Sequence, residues 1–221
     1  MRVLGATVVE VMQIKRIEVC GGIAAGKTTL VLGLCDAGFS PIYERFRDTQ
    51  FYKAFYEDPA AYAFEAEIDF LLQHYHMVKR ERHQPNLICD YSLWLDHAYA
   101  STNLVGSRHR AFSIVWEEIL SEIGYPALVI NVKCQAETLI GRIACRERPE
   151  EDSISIEYLS KLNTNIEQQM ALLAAKIPIL DVDSKHINFT PPAPESKSIL
   201  ARIRTTVSEL LNSGNVGRHA F

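Results

Sequence analysis

The sequence predicts an α/β fold, a doubly wound parallel sheet with helices on both faces. Three observations predict it. Gly21-Gly22-Ile23-Ala24-Ala25-Gly26-Lys27-Thr28 satisfies G-x-x-x-x-G-K-[ST], between a β-like run, Ile17-Glu18-Val19-Cys20, and a helix-like run over 29–35. Short apolar segments then alternate with longer helix-patterned ones. The 221 residues suffice for one domain with a substantial core, and no repeat or low-complexity tract breaks them.

In chain order, residues 1–14 are expected to form a disordered N-terminal arm. This start is partly apolar (Val3, Leu4, Val8, Val9, Val11) but lacks a signal peptide's long apolar region and cleavage site. Met12 is a natural start, so residues 1–11 read as a dispensable arm or a mis-assigned beginning. The domain is expected over 15–211. Its strands are expected over 16–20, 41–43, 87–90, 128–132 and 177–182, each short and apolar as buried parallel strands are. Helices are expected over 62–82, 110–124, 135–146, 155–176 and 196–211. The longest carries Phe64, Ile68, Leu71, Tyr75 and Val78 at 4-3-4-3 spacing, a single apolar stripe. Residues 184–195, with Pro191-Pro192-Ala193-Pro194, read as a loop. The tail, 212–221, is expected to be disordered.

Composition excludes several classes. The net charge is −4 and the basic residues are dispersed, which argues against a nucleic-acid partner. No apolar run approaches the roughly 20 residues of a membrane span. The 5 cysteines are scattered without C-x-x-C spacing, which argues against zinc and a disulfide framework and suits a reducing, cytoplasmic location. The 7 histidines show no metal-ligand pattern; His74 and His76 lie at i, i+2 and read as ordinary helix residues.

The residues suited to chemistry follow from this layout. A strand that ends in a Gly-rich turn opening a helix is a phosphate cradle. Gly21, Gly22, Ile23, Ala24, Ala25, Gly26, Lys27, Thr28 and Thr29 would form it, with Lys27 on the β- and γ-phosphates and Thr28 on Mg²⁺. Glu44 ends the second strand and is either a general base or a surface carboxylate. Asp90 ends the third strand, as a Mg²⁺ partner or a helix N-cap. Arg142, Arg146 and Arg148 leave a helix for a loop. They would stabilise phosphoryl charge as a lid over 142–153, or simply pair with the helix C-terminus.

Taken together, the pattern resembles the deoxynucleoside kinase family, within the thymidylate-kinase-like P-loop group. The resemblance runs from about Lys15 to Ser184. It rests on the P-loop, Glu44, Phe55-Tyr56-Glu57-Asp58-Pro59 with Ala63-Phe64-Glu65, Asp90-Tyr91-Ser92, the Arg142 to Glu151 segment, and Glu157-Tyr158-Leu159. It implies a five-stranded parallel sheet flanked by helices, usually in a homodimer. It implies ATP or another NTP as phosphate donor, with Mg²⁺, and a deoxynucleoside as substrate. Glu44 would deprotonate the 5′-hydroxyl, Tyr56 and Glu151 would hold the 3′-hydroxyl, Asp90 would match the Mg²⁺-associated acid, and Arg142, Arg146 and Arg148 would match the lid arginines. Asp96 would reach an exocyclic amine, and Ile68 and Leu72 would line the base pocket.

Three departures mark this chain. Tyr91 stands where many members have arginine, which leaves Arg45 as the expected replacement. Glu65 replaces the usual base-bonding glutamine. Leu72, Gln73 and His74 stand where several relatives place an arginine. Two carboxylates beside the base, Glu65 and Asp96, favour donor-rich edges, so purines are expected first, deoxycytidine next and thymidine last. The order of guanine and adenine depends on whether the Glu65 carboxyl is ionised. The rival readings are a kinase for another small substrate, such as a nucleoside monophosphate, and a nucleotide-binding regulatory ATPase.

Overall fold

The computed structural model describes residues 16–35, 38–146, 148–185, 187, 189, 194–213 and 215–221. The arm expected over 1–14 lies outside these residues, as do parts of the loop expected over 184–195. The order is β1 (Arg16–Cys20), α1 (Lys27–Cys35), β2 (Ser40–Ile42), α2 (Tyr52–Glu57), α3 (Pro59–Glu81), β3 (Leu87–Cys89), α4 (Leu93–Asn103) and α5 (Gly106–Ile123). Then come β4 (Leu128–Lys133), α6 (Ala136–Ala144), α7 (Ile156–Leu173), β5 (Pro178–Asp183), α8 (Pro194–Ser213) and β6 (Gly217–Ala220). Short 3₁₀ turns occupy Phe46–Asp48 and Pro149–Ser153.

The sheet order is β2-β3-β1-β4-β5-β6, and every neighbouring pair is parallel. The expected five-stranded sheet is present, with a sixth strand added at its edge. β6 corrects the expectation of a disordered tail. It is held by Arg218, whose guanidinium donates to both Asp181 carboxylate oxygens at 2.7 and 2.8 Å and to Glu167 at 2.9 Å. β1 is buried along its whole length between β3 and β4. After β3 the chain crosses to the other side of β1, so the crevice beyond the C-terminal end of β1 is the topological switch point, where α/β sheets bind ligands.

α3 starts where the sequence is built to start a helix. Asp58 accepts a hydrogen bond from the Ala61 amide at 3.2 Å, Pro59 sits in the first turn, and Lys79 and Arg80 fall in the last. Its most buried face is not the expected stripe. Ala63, Ala66, Glu67, Leu71, His74, Met77 and Val78 are buried, whereas Phe64, Ile68 and Tyr75 are only partly so. α3 is thus rotated relative to the apolar reading, and two polar side chains face inward. α2 and α4, absent from the expected elements, complete the walls. Ser92 caps α4 by accepting from the Trp94 amide, so Asp90 is not that cap.

Candidate active site

The loop between β1 and α1 needs unusual backbone. Gly21 has φ 147°, Gly26 φ 103° and Ala24 φ 61°. A Cβ on Gly21 would stand 2.5 Å from the Val132 carbonyl oxygen, so the loop can lie against β4 only because it has none. Lys27 Nζ donates to the Gly21 and Gly22 carbonyl oxygens at 3.0 and 3.2 Å. Arg142, from α6, donates to the Ala24 and Ala25 carbonyl oxygens at 3.5 and 3.2 Å, and to Ser184 Oγ and O at 3.2 and 2.6 Å. These two cations engage the loop's carbonyls, and the α1 N-terminus supplies amides and a dipole for an anion.

The loop walls a cavity of about 280 Å³ over the C-terminal ends of β1, β2 and β3. Residues 23–29, Glu44, Tyr56, Asp90, Asp96, Arg146, Arg148 and Glu151 all line it. Arg142 does not; it braces the loop from outside. Glu65, Ile68 and Leu72 are not part of the lining either, and Leu72 is 46% exposed. The helix register explains this correction. Two residues along a helix turn about 200°, so Glu65 and Glu67 point in nearly opposite directions. The buried carboxyl in the cavity wall is Glu67, joined by Ala66 and Phe70 from the same helix and by Leu95 and Tyr99 from α4.

Asp90 is buried beside the loop, and its Oδ1 has no protein partner. Burial pushes its carboxyl up to about 6, opposed by Lys27 and a hydrogen bond from Thr28. An orphaned carboxylate oxygen beside a P-loop threonine fits a hard cation with oxygen ligands. Among the described residues no three or more His, Cys, Asp or Glu cluster as metal ligands. A cation here would therefore complete its shell with water and phosphate, which is the habit of Mg²⁺.

Glu44, at the end of β2, is half-buried and faces His74 Nε2 at 3.5 Å. Burial pushes its pKa up, but His74, Lys27 and Arg148 prevail and hold it below the ordinary range. His74, read as an ordinary helix residue, is buried between Glu44 and Asp96. Arg45, the expected stand-in for a missing arginine, is exposed and, among the described residues, pairs only with Asp48, at 3.9 Å. The side chain that pairs with Glu44 is instead the histidine.

Glu151 is buried and binds two of the three arginines expected in a lid, Arg146 at 3.3 Å and Arg148 at 2.9 Å. Arg148 also stacks over the Phe46 ring at 4.1 Å. The tyrosine within 3.5 Å of Glu151 is Tyr52, which sequence reasoning missed; Tyr56 stands behind it with ring centroids 5.1 Å apart. Glu67 accepts from the Asn103 amide at 2.7 Å. Burial raises its carboxyl to about 8, so it is protonated at neutral pH.

A P-loop, two carboxylates just beyond neighbouring strand ends and two arginines around one cavity suit phosphoryl transfer to a small molecule. A profile of the deoxynucleoside kinase family matches residues 17–208, and the chain belongs to that family. It is 28% identical over 207 residues to a deoxyguanosine kinase of Bacillus subtilis, covering 88% of this chain and 97% of that protein. It is 25% identical over 174 residues to a deoxyadenosine kinase of Dictyostelium discoideum, covering 76% of this chain and 71% of that protein. Its fold matches that of a deoxyadenosine kinase from M. mycoides solved with bound dCTP, with a TM-score of 0.74 at 21% identity over 86% of this chain and 99% of that one. Among the described residues no helix is long and apolar enough to cross a membrane.

Proposed function

We propose that this deoxynucleoside kinase transfers the γ-phosphate of ATP or another NTP to the 5′-hydroxyl of a purine deoxynucleoside, in cytoplasmic nucleotide salvage and as a homodimer. The observation that carries this reading is that the P-loop, Glu44 and Asp90 meet on one cavity at the switch point. Glu44, ionised, takes the hydroxyl proton as the oxygen attacks. Lys27 and the loop amides hold the donor's phosphates. Arg146 and Arg148 stabilise the charge on the moving phosphoryl group, and Arg142 keeps the loop in shape from behind. Thr28 and Asp90 would hold Mg²⁺, which when bound offsets phosphate charge. Tyr56 and Glu151 hold the 3′-hydroxyl, and Tyr56 crowds a 2′-hydroxyl.

The base-reading role assigned to Glu65 passes to Glu67. A protonated carboxyl offers one donor and one acceptor, as glutamine does. That pair complements the N1 and N6 edge of adenine, and the equivalent edge of cytosine. Asp96 already accepts from His74 with both oxygens. Thymine's carbonyl-rich edge is the poorest match.

A panel of nucleosides with ATP and Mg²⁺, read by product formation, tests the proposal. Deoxyadenosine should lead, deoxycytidine should follow, and thymidine should come last. Glu44→Gln should lower kcat by about 10²–10⁴-fold and change the nucleoside KM much less. Thymidine outperforming every amino-bearing base would overturn the base assignment. A folded Lys27→Ala variant with near-wild-type turnover would overturn the phosphate site.

A further inference from the structure

Tyr91 is buried, and its hydroxyl donates to the His74 carbonyl oxygen at 3.2 Å. Its ring is covered face-on by the His74 imidazole, with centroids 3.9 Å apart and planes 9° from parallel. His74 Nδ1 lies 2.9 and 3.0 Å from the two Asp96 oxygens, and Nε2 lies 3.5 Å from Glu44 Oε1. The histidine side chain is 2% exposed and that of Asp96 6%, so water does not intervene freely. Carboxylates only accept hydrogen bonds. Nδ1 is hydrogen-bonded to Asp96, while Nε2 makes no hydrogen bond and faces Glu44 at ion-pair distance, so the ring meets a carboxylate at each nitrogen and suits an imidazolium. The face of a phenol ring is a favourable bed for that cation.

We propose that His74, clamped by Asp96 and stacked on Tyr91, is the positioning residue for Glu44, holding that carboxylate ionised and oriented to take the substrate's proton. The inference rests on the functional reading above. In the step, the hydroxyl proton moves to Glu44 while the new oxygen–phosphorus bond forms and the bond to the donor's β-phosphate oxygen breaks. His74 keeps both its protons throughout. The Nε2 separation is long, as catalytic hydrogen bonds often are before substrate binds.

Other groups around the pair act in the same sense or more weakly. Lys27 from α1 and Arg148 from the lid also favour ionised Glu44, while Asp90 after β3 is influenced by both members. Burial opposes charge on His74, but Asp96 and Glu44 outweigh it and push its pKa up to about 10. Tyr91, and Glu67 two turns earlier on α3, complete the surroundings.

The test uses the full chain with carbon-13 and nitrogen-15 labels. The Glu44 carboxyl is titrated by NMR without ligands in wild type, His74→Gln, Asp96→Asn and the double variant, and kcat is measured against pH in each. Either single change should raise the Glu44 pKa by about one pH unit or more, and the acidic limb of kcat should move up equally. The double variant should add nothing further. The KM for ATP should stay within about twofold, since the change acts on the base and not on the phosphate site. A folded His74→Gln protein with an unmoved Glu44 titration overturns the proposal. Should the variants fail to fold, the wild-type His74 ring decides: two protonated nitrogens near pH 8 support it, and a neutral ring there overturns it. A wild type that phosphorylates no deoxynucleoside would sink the functional reading alone, because the NMR titration needs no substrate.

Discussion

Glu67→Gln is the perturbation whose size the structure allows to be worked out. The carboxyl is buried in the cavity wall, one oxygen accepts from Asn103 at 2.7 Å, and burial raises its pKa from 4.5 to about 8. A folded-state pKa above the unfolded value means stability that is complete below about 4.5 and lost as pH rises to about 8. The rise is 8 − 4.5, or about 3.5. At ~1.36 kcal/mol for each pH unit this is about 5 kcal/mol, an upper bound that local relaxation brings nearer to about 3 kcal/mol. Glutamine keeps the shape and the acceptor facing Asn103 but cannot ionise. Urea unfolding of both proteins between about pH 5 and pH 9 isolates the effect, since every other titrating group is shared. The variant should gain on the wild type steadily up to about pH 8 and hold its lead above that. Its preference for adenine- and cytosine-bearing substrates should persist at high pH, where the wild type's should weaken. Parallel stability curves would refute both the protonated carboxyl and the base-reading argument built on it.

Two further predictions concern the frame around the site. Gly21→Ala places a Cβ 2.5 Å from the Val132 carbonyl oxygen at φ 147°, a clash with backbone that cannot move aside. It should cost about 2–4 kcal/mol and abolish nucleotide binding; an unchanged Tm with intact ATP binding would refute that. Arg218→Ala removes the fork that ties β6 to Asp181 and Glu167. Because the guanidinium is partly solvent-exposed, global stability should fall by only about 1 kcal/mol. Hydrogen exchange of the β6 amides should accelerate well beyond that of β5, and equal protection in both proteins would show that the strand holds without the arginine.

How far the fold was legible depended on what each segment buries. β1, β4 and β5 are covered on both faces, so they read as short runs rich in Ile, Val and Leu despite Glu18, Asn131 and Asp181, and their expected limits fall within a residue of those observed. β6 reads Gly217-Arg218-His219-Ala220, with no apolar run, because an edge strand held by its ladder to β5 and by the two ion pairs of Arg218 needs none. α4 escaped notice because apolar residues surround it: Leu93, Trp94, Leu95, Ala98 and Ala100 are all buried, which erases the stripe. The phosphate loop was legible as a motif, since its chemistry is fixed by local spacing. The base pocket was not, because its residues come from several elements and their facing depends on helix rotation.

That rotation is the physical reason α3 matters most. A helix face lining a polar cavity looks, by its residue types, like a face meant for water, so hydrophobic periodicity assigns it to the outside. Here Glu67 and His74 lie seven residues apart, two turns along one face, and both are buried. Desolvating such groups costs several kcal/mol for each one left unpaired. Each has a partner instead: Glu67 is bonded to Asn103, while His74 is bonded to Asp96 through Nδ1 and faces Glu44 through an Nε2 that makes no hydrogen bond. A fold selected for stability alone would fill the same face with leucine. On the proposed reading, the retained polar pair marks the wall where base and hydroxyl chemistry are read, with Glu67 supplying a neutral donor and acceptor and His74 supplying the charge that Tyr91 cannot.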